Sequence, residues 1–203
     1  MLDARLRPLI DPPLNQMGRL LARAGVGPNT VTLTGFALGM GAAFAIATGY
    51  VLTGLFLIAL NRLADGLDGA VARATRKTDL GGFLDITLDF FFYGAIPLAF
   101  AILDPQANAL AAAALLASFY ANGSAFLAFA IMAEKNSLAT ATQGQKSLYY
   151  LGGLAEGTET IALFLLMALL PGWFPVLAWG FAAVCLVSAG ARVLIGVRAL
   201  HPD

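Results

Sequence analysis

The chain has 203 residues, 59% of them hydrophobic and 12% charged, and its twelve Lys and Arg balance twelve Asp and Glu. Soluble domains run about 45–50% apolar and about 25% charged. A mean hydropathy of +0.79 therefore excludes an ordinary water-soluble globule and points to an all-α, polytopic membrane protein. Zero net charge without a basic tract gives nucleic acid no footing, and a single cysteine, Cys185, excludes an intrachain disulfide.

The first sixteen residues, MLDARLRPLIDPPLNQ, are too polar and too rich in proline for a signal peptide. The next segment, LNQMGRLLARAGVG, places Leu14, Met17, Leu20 and Leu21 on one face with Arg19 and Arg23 turned away. Such a helix lies on the membrane surface; the alternative is a cytosolic helix capping the bundle. Six stretches then follow near 30–49, 52–74, 80–102, 107–133, 152–171 and 174–197. Each is long enough as a helix to cross about 30 Å of hydrocarbon. Turn signals separate them at TGYVLTG, LDPQAN and LPGWFP. Backbone groups in lipid must be bonded internally, so the expectation is a six-helix transmembrane bundle preceded by one amphipathic interfacial helix. The expected division is an N-terminal segment over 1–28, a membrane domain over 29–199 and a tail over 200–203.

Arg5, Arg7, Arg19 and Arg23 precede the first span, and Arg73, Arg76 and Lys77 lie between the second and third. Lys135 and Lys146 lie between the fourth and fifth, and Arg192 and Arg198 lie near the C-terminus. The opposite loops carry no Lys or Arg, which sets both termini and the longer loops on the cytoplasmic side. Arg62 alone falls near the middle of a span.

Four carboxylates break the apolar pattern. Asp65 and Asp68 are three apart and Asp85 and Asp89 four apart, so each pair occupies one helix face. If the second and third spans are antiparallel neighbours, Asp68 lies level with Asp85 and Asp65 level with Asp89. Ionised carboxylates at that depth are costly unless paired or bound to metal. Arg62 and Arg73 cannot neutralise four of them, whereas one or two hard divalent cations can. Gly66, Gly69, Gly81 and Gly82 allow close backbone approach to a phosphate, and Arg73 can pair with one. Phosphoryl transfer fits this set; the competing reading is a carboxylate-lined ion pathway of a transporter.

DGLDGAVARATRKTDLGGFLDITLD resembles the signature of the CDP-alcohol phosphatidyltransferases, D-x2-D-G-x2-A-R followed by G-x3-D-x3-D. Asp65, Asp68, Gly69, Ala72, Arg73, Gly81, Asp85 and Asp89 fill every fixed position, and GPNTVTLTGF resembles the family's Pro-Asn opening of the first span. The resemblance implies a small bacterial inner-membrane enzyme. It would move a phosphatidyl group from a CDP-diacylglycerol-type donor to a small alcohol and release CMP, in phospholipid synthesis. It further implies Mg2+ or Mn2+, two ions per site, held by Asp65, Asp68, Asp85 and Asp89, with Asp89 also taking the proton from the acceptor. Pro28, Asn29, Thr30, Val31, Gly69, Ala72, Arg73, Thr78 and Gly81 would contact the donor's CDP, and the enzyme would be a homodimer. Within the same chemistry, a small CDP-alcohol could instead give its head group to a lipid hydroxyl.

For the acceptor, Glu156 and Glu159 at the start of the fifth span are candidates, and Lys135 and Lys146 could meet an acceptor that carries phosphate. A salt bridge pinning the helix ends explains the glutamates equally well. A donor pocket open sideways near the second and fifth spans is also expected. Asn122 and Ser124 read as hydrogen bonders between helices, and His201 as a solvated terminal residue. Phe90–Tyr93 and the Trp173–Phe174 pair read as lipid-facing or interfacial anchors.

Overall fold

The computed structural model describes residues 3–136, 155 and 157–200. Among these, every regular element is helical: α1 Asp3–Arg23, α2 Pro28–Ala47, α3 Val51–Ala74, α4 Asp79–Leu103, α5 Pro105–Lys135, α6 Gly157–Leu169 and α7 Phe174–Leu200, with a short 3-10 turn at Pro171–Trp173. Local chemistry sets the boundaries. Gly25 (φ +81°) closes α1, with Val26 N donating to Leu21 O (3.0 Å) and Gly25 N to Ala22 O (3.1 Å). Gly49 (φ +90°) closes α2 in the same way, with Tyr50 N bonding Ala45 O at 2.8 Å. Left-handed backbone of this kind favours glycine at a helix end. Pro28 and Pro105 occupy first turns, where no amide hydrogen is needed. Thr78 caps α4 by accepting from Gly81 N at 3.0 Å, and Asp104 caps α5 by accepting from Ala107 N at 3.0 Å.

α2, α4, α5 and the run Pro171–Leu200 are each long and apolar enough to cross a membrane. α3 matches them in length at 24 residues but carries Arg62, Asp65, Asp68 and Arg73. α6 is apolar over 13 residues. The chain is an all-helical polytopic membrane protein, with four of the six expected spans meeting both length and composition. α1 starts at Asp3 and runs through Pro8, Pro12 and Pro13, earlier than the sequence suggests. Its expected single apolar face is divided. A Cβ at Gly66 would lie 2.8 Å from Leu14, so Leu14 packs on α3, while Met17 and Leu20 are exposed.

α2 packs against both α3 and α4, α1 lies on α3, α4 meets α5, α5 meets α7, and α3 meets α6. The second and third expected spans, α3 and α4, face each other across a polar gap, with Arg62 Nη2 reaching Asp89 Oδ1 at 2.9 Å, and α2 packs against both. Small residues permit the close contacts: a Cβ at Gly35 would lie 3.0 Å from Ala64, and one at Gly39 2.7 Å from Phe92. The apolar core, which includes Ile46, Ile58, Phe92, Phe100, Phe164 and Phe174, fills the bundle on the side of Asp89 away from the Thr75–Thr78 turn.

Two aromatic expectations are corrected here. Phe92 is buried, and Phe174 is buried and stacks on Phe100 with centroids 4.7 Å apart. Phe91 and Trp173 are exposed, as anchors would be. Ser124 Oγ donates to Tyr120 O within α5 at 2.6 Å and makes no interhelical bond among the described residues. Asn122 does reach outside its helix, to Ala155 O at 3.5 Å.

Candidate active site

The gap between α3 and α4 is lined by Asp65, Asp68, Asn61 and Arg62 from α3, by Asp85, Leu88 and Asp89 from α4, and by Thr32, Gly35 and Phe36 from α2. Helical spacing turns each aspartate pair inward, and α2 forms the floor. Carboxylate oxygens of Asp65, Asp68 and Asp85 all lie within 4.8 Å of one another. Asp68 is 7% exposed, and its Oδ2 is buried with no hydrogen-bond donor reaching it among the described residues. A buried carboxylate oxygen without a donor is costly. An all-oxygen set of this kind suits a hard divalent cation, so these residues fit the ion that the resemblance implies.

Asp89 lines the same gap but stands outside the three-carboxylate cluster. Its Oδ1 accepts from Arg62 Nη2 at 2.9 Å, and its Oδ2 accepts from Tyr93 Oη at 3.4 Å. Arg62 also reaches Asp65 Oδ2 through Nη1 at 3.6 Å. Its Nε donates to Asn61 Oδ1 at 2.8 Å, and Asn61 Nδ2 donates to Gly35 O at 2.8 Å. The guanidinium carbon lies 4.8 Å from the Phe92 ring centroid. Asn61, Thr32 and the pairing of Arg62 were not picked out from the sequence; a polar Asn-Arg pair after VLTGLFLIAL was the available signal. Tyr93, expected at the lipid, faces this polar group instead.

The residues expected to contact CDP gather near the Thr75–Thr78 turn. A Cβ at Gly81 would meet Thr78 Oγ1 at 3.1 Å and Asn29 Oδ1 at 3.3 Å, and Asn29 Oδ1 is buried with no donor among the described residues. Arg73 Nη1 lies 3.3 Å from the Cβ position of Gly69. Arg73 touches none of the carboxylates; its Nε and Nη2 donate to Asn15 Oδ1 on α1 at 3.1 and 2.9 Å. Pro28 and Val31 are half-buried at the start of α2, Thr30 is exposed, and Ala72 is half-buried on α3. Among the acceptor candidates, Glu159 lies half-buried in the first turn of α6, and Lys135 is exposed in the last turn of α5. Glu156 and Lys146 lie outside the described residues.

A second, larger cavity of about 680 Å³ opens among α4, α5, α6 and α7. Phe90, Tyr93, Phe119, Phe126 and Leu116 line it, together with Asn122, Thr160 and Arg192. Tyr93 thus borders this cavity while bonding Asp89 in the acidic gap.

Residues 26–194 match the CDP-alcohol phosphatidyltransferase family. The chain is 50% identical over 200 residues to the inner membrane protein YnjF of Escherichia coli K12, covering 98% of this chain and 97% of that one. It is 30% identical over 192 residues to the phosphatidylinositol phosphate synthase of Mycobacteroides abscessus, covering 92% and 81%. The crystal structure of Mycobacterium tuberculosis phosphatidylinositol phosphate synthase with CDP-DAG bound shares its fold, with a TM-score of 0.74 over 94% of this chain and 98% of that one at 21% identity. With a matched region spanning most of the chain and a relative alike from end to end, this protein belongs to the CDP-alcohol phosphatidyltransferase family.

Proposed function

We propose that the protein transfers a phosphatidyl group from a CDP-diacylglycerol-type donor to the hydroxyl of a small alcohol, releasing CMP. One observation carries the reading: three carboxylates converge to within 4.8 Å at the end of a polar gap, and the most buried of them keeps an oxygen without a donor. Asp65, Asp68 and Asp85 would hold Mg2+ or Mn2+, which when bound supplies positive charge to a diphosphate. Asn29, Thr78, Gly81, Gly69 and Arg73 would seat the CDP portion, the glycines by leaving room and Arg73 by pairing with phosphate.

In the reaction the acceptor oxygen forms a bond to the phosphorus that carries diacylglycerol. The bond from that phosphorus to the CMP oxygen breaks, and CMP leaves with the electron pair. The acceptor's proton passes to Asp89, which Arg62 and Tyr93 orient. The nucleotide end of the gap is placed at the cytoplasmic face, with both termini, and the acyl chains remain in the inner leaflet. Six spans, a homodimer and a membrane domain over 29–199 belong to the same reading.

The acceptor is a small alcohol, and the names of the relatives make inositol phosphate the first to supply. The test is CMP release by purified protein in lipid nanodiscs, given CDP-diacylglycerol, Mg2+ or Mn2+, and a panel of labelled alcohols. CMP and one new labelled lipid are expected, both lost in Asp89→Asn. No product from any alcohol, but product from CDP-ethanolamine and diacylglycerol, would replace the reading with head-group transfer.

A further inference from the structure

Tyr93 stands on the wall of the cavity of about 680 Å³ among α4, α5, α6 and α7, a volume in the range of small-ligand sites. It follows Asp89 by four residues on α4, which puts its hydroxyl on the carboxylate's face of the helix. Other rings hold it in place: centroids lie 5.9 Å away at Phe92, 6.5 Å at Phe119 on α5 and 6.2 Å at Phe164 on α6. These neighbours fix the ring whatever Asp89 itself meets. Gly157 leaves room at the phenol end, because a Cβ there would lie 3.5 Å from Tyr93 Oη. The hydroxyl is under-used. A hydroxyl bonded to a carboxylate sits at about 2.5–2.7 Å, whereas Tyr93 Oη is 3.4 Å from Asp89 Oδ2. On the wall of the same cavity, Asn122 Oδ1 is buried with no donor among the described residues. Phe90, Phe119 and Phe126 make the rest of the wall aromatic, so these polar atoms are placed to orient a ligand that brings hydroxyls of its own.

We propose that Tyr93 aims the acceptor alcohol from this cavity. Tyr93 Oη donates to the acceptor's oxygen, whose own proton is directed at Asp89. Asn122 Oδ1 accepts from a second O–H or N–H of the same molecule, so the acceptor class is an alcohol that carries a further hydrogen-bond donor. As the acceptor oxygen bonds to phosphorus and CMP leaves with the electron pair, the acceptor's proton goes to Asp89 and Tyr93 keeps its own. The inference rests on the phosphatidyltransferase reading and adds to it a residue that touches the reacting oxygen.

The test uses the full chain in lipid nanodiscs with CDP-diacylglycerol, Mn2+ and labelled inositol phosphate, glycerol phosphate or serine, and reads labelled lipid, CMP and Tm. Tyr93→Phe keeps the ring and is expected to raise the KM for the alcohol about tenfold, the size of one lost hydrogen bond, with the KM for the donor unchanged. Gly94 lines the cavity with nothing within 4 Å of its Cβ position, so Gly94→Leu fills the space without a clash. It is expected to cut labelled lipid about tenfold or more while Tm and the donor KM hold. Gly180→Leu is the control: Gly180 is exposed on α7 with the same open space at its Cβ position, and both KM values should stay as they are. An unchanged alcohol KM in Tyr93→Phe, undiminished lipid from Gly94→Leu, or equal KM rises for donor and alcohol would overturn the inference and leave the reaction standing. No labelled lipid from the natural chain with any of the three alcohols would overturn the reaction and the inference together.

Discussion

Asn15 Oδ1 on α1 accepts from both Nε and Nη2 of Arg73 on α3, at 3.1 and 2.9 Å. The arrangement leaves Nη1 beside Gly69, 3.3 Å from where a Cβ would stand. An arginine side chain has many rotamers, and holding one of them in advance lowers the entropy lost when a phosphate binds. Asn15→Leu is expected to raise KM for the CDP-lipid about tenfold with kcat little changed, since a hydrogen bond to a charged group is worth about 1.5 kcal/mol at its lower end. Asn15→Asp, which keeps an acceptor for the guanidinium, restores KM. Steady-state CMP release against donor concentration checks both, and equal loss of kcat in Asn15→Leu would show a fold defect instead.

That bond depends on α1 lying flat on α3, and Gly18 makes this possible. A Cβ there would sit 2.7 Å from Ala70 Cβ and 2.8 Å from the Ala70 carbonyl carbon. Backbone cannot swing aside as a long side chain can. Gly18→Val is expected to cost about 1–3 kcal/mol, as overpacking does, and to loosen α1, so that trypsin cuts at the exposed Arg19 and Arg23. Gly82, with nothing within 4 Å of its Cβ position, is the control: Gly82→Ala should leave thermal stability unchanged or slightly raised, by up to about 1 kcal/mol. Thermal unfolding and limited proteolysis in the same detergent read both.

The sequence reading reached the acidic site because helical spacing alone puts Asp65 with Asp68 and Asp85 with Asp89. It misjudged what lies around them. Nothing in the spacing says that α2 packs across both α3 and α4, so Thr32 and Gly35 of the floor stayed hidden. The aromatic run Phe90–Tyr93 shows why. In water, a helix announces its inner face by contrast with a polar outer one; in lipid both faces are apolar. Phe91 at the outside and Phe92 in the core look alike in sequence. Arg62 was visible as an oddity, but its partners follow from the distance between two helices, which composition does not encode.

Asp68 offers a test of the metal site that needs no substrate. Its buried Oδ2 meets no donor among the described residues, so without an ion its charge opposes folding. A ligand that binds only the folded state at about a hundred times its Kd adds about 2.7 kcal/mol of stability. Mn2+ is therefore expected to raise the Tm of the natural chain, and EDTA to reverse the rise. Asp68→Asn should unfold at the same or a higher temperature than the natural chain in EDTA, because a neutral amide is less costly to bury. It should gain nothing from Mn2+. A full Mn2+ response in Asp68→Asn would place the ion elsewhere.

Thr78 and Gly81 are bonded to each other, yet they should fail in different ways. Thr78 Oγ1 caps α4 through Gly81 N, and loss of such a cap costs about 1 kcal/mol. Gly81 acts through space: the Cβ position lies 3.3 Å from Asn29 Oδ1, a buried oxygen with no donor among the described residues that would meet the nucleotide in the proposed reaction. Thr78→Ala should thus lower Tm and, because the same hydroxyl is proposed to seat CDP, also raise the KM for donor. An unchanged KM would confine the hydroxyl to the cap. Gly81→Val puts branched carbon beside Asn29 and is expected to raise the KM by more than about tenfold, the equivalent of about 1.4 kcal/mol, with little change in Tm. Gly81→Val that binds CDP-diacylglycerol normally would move the nucleotide away from the junction of α2 and α4.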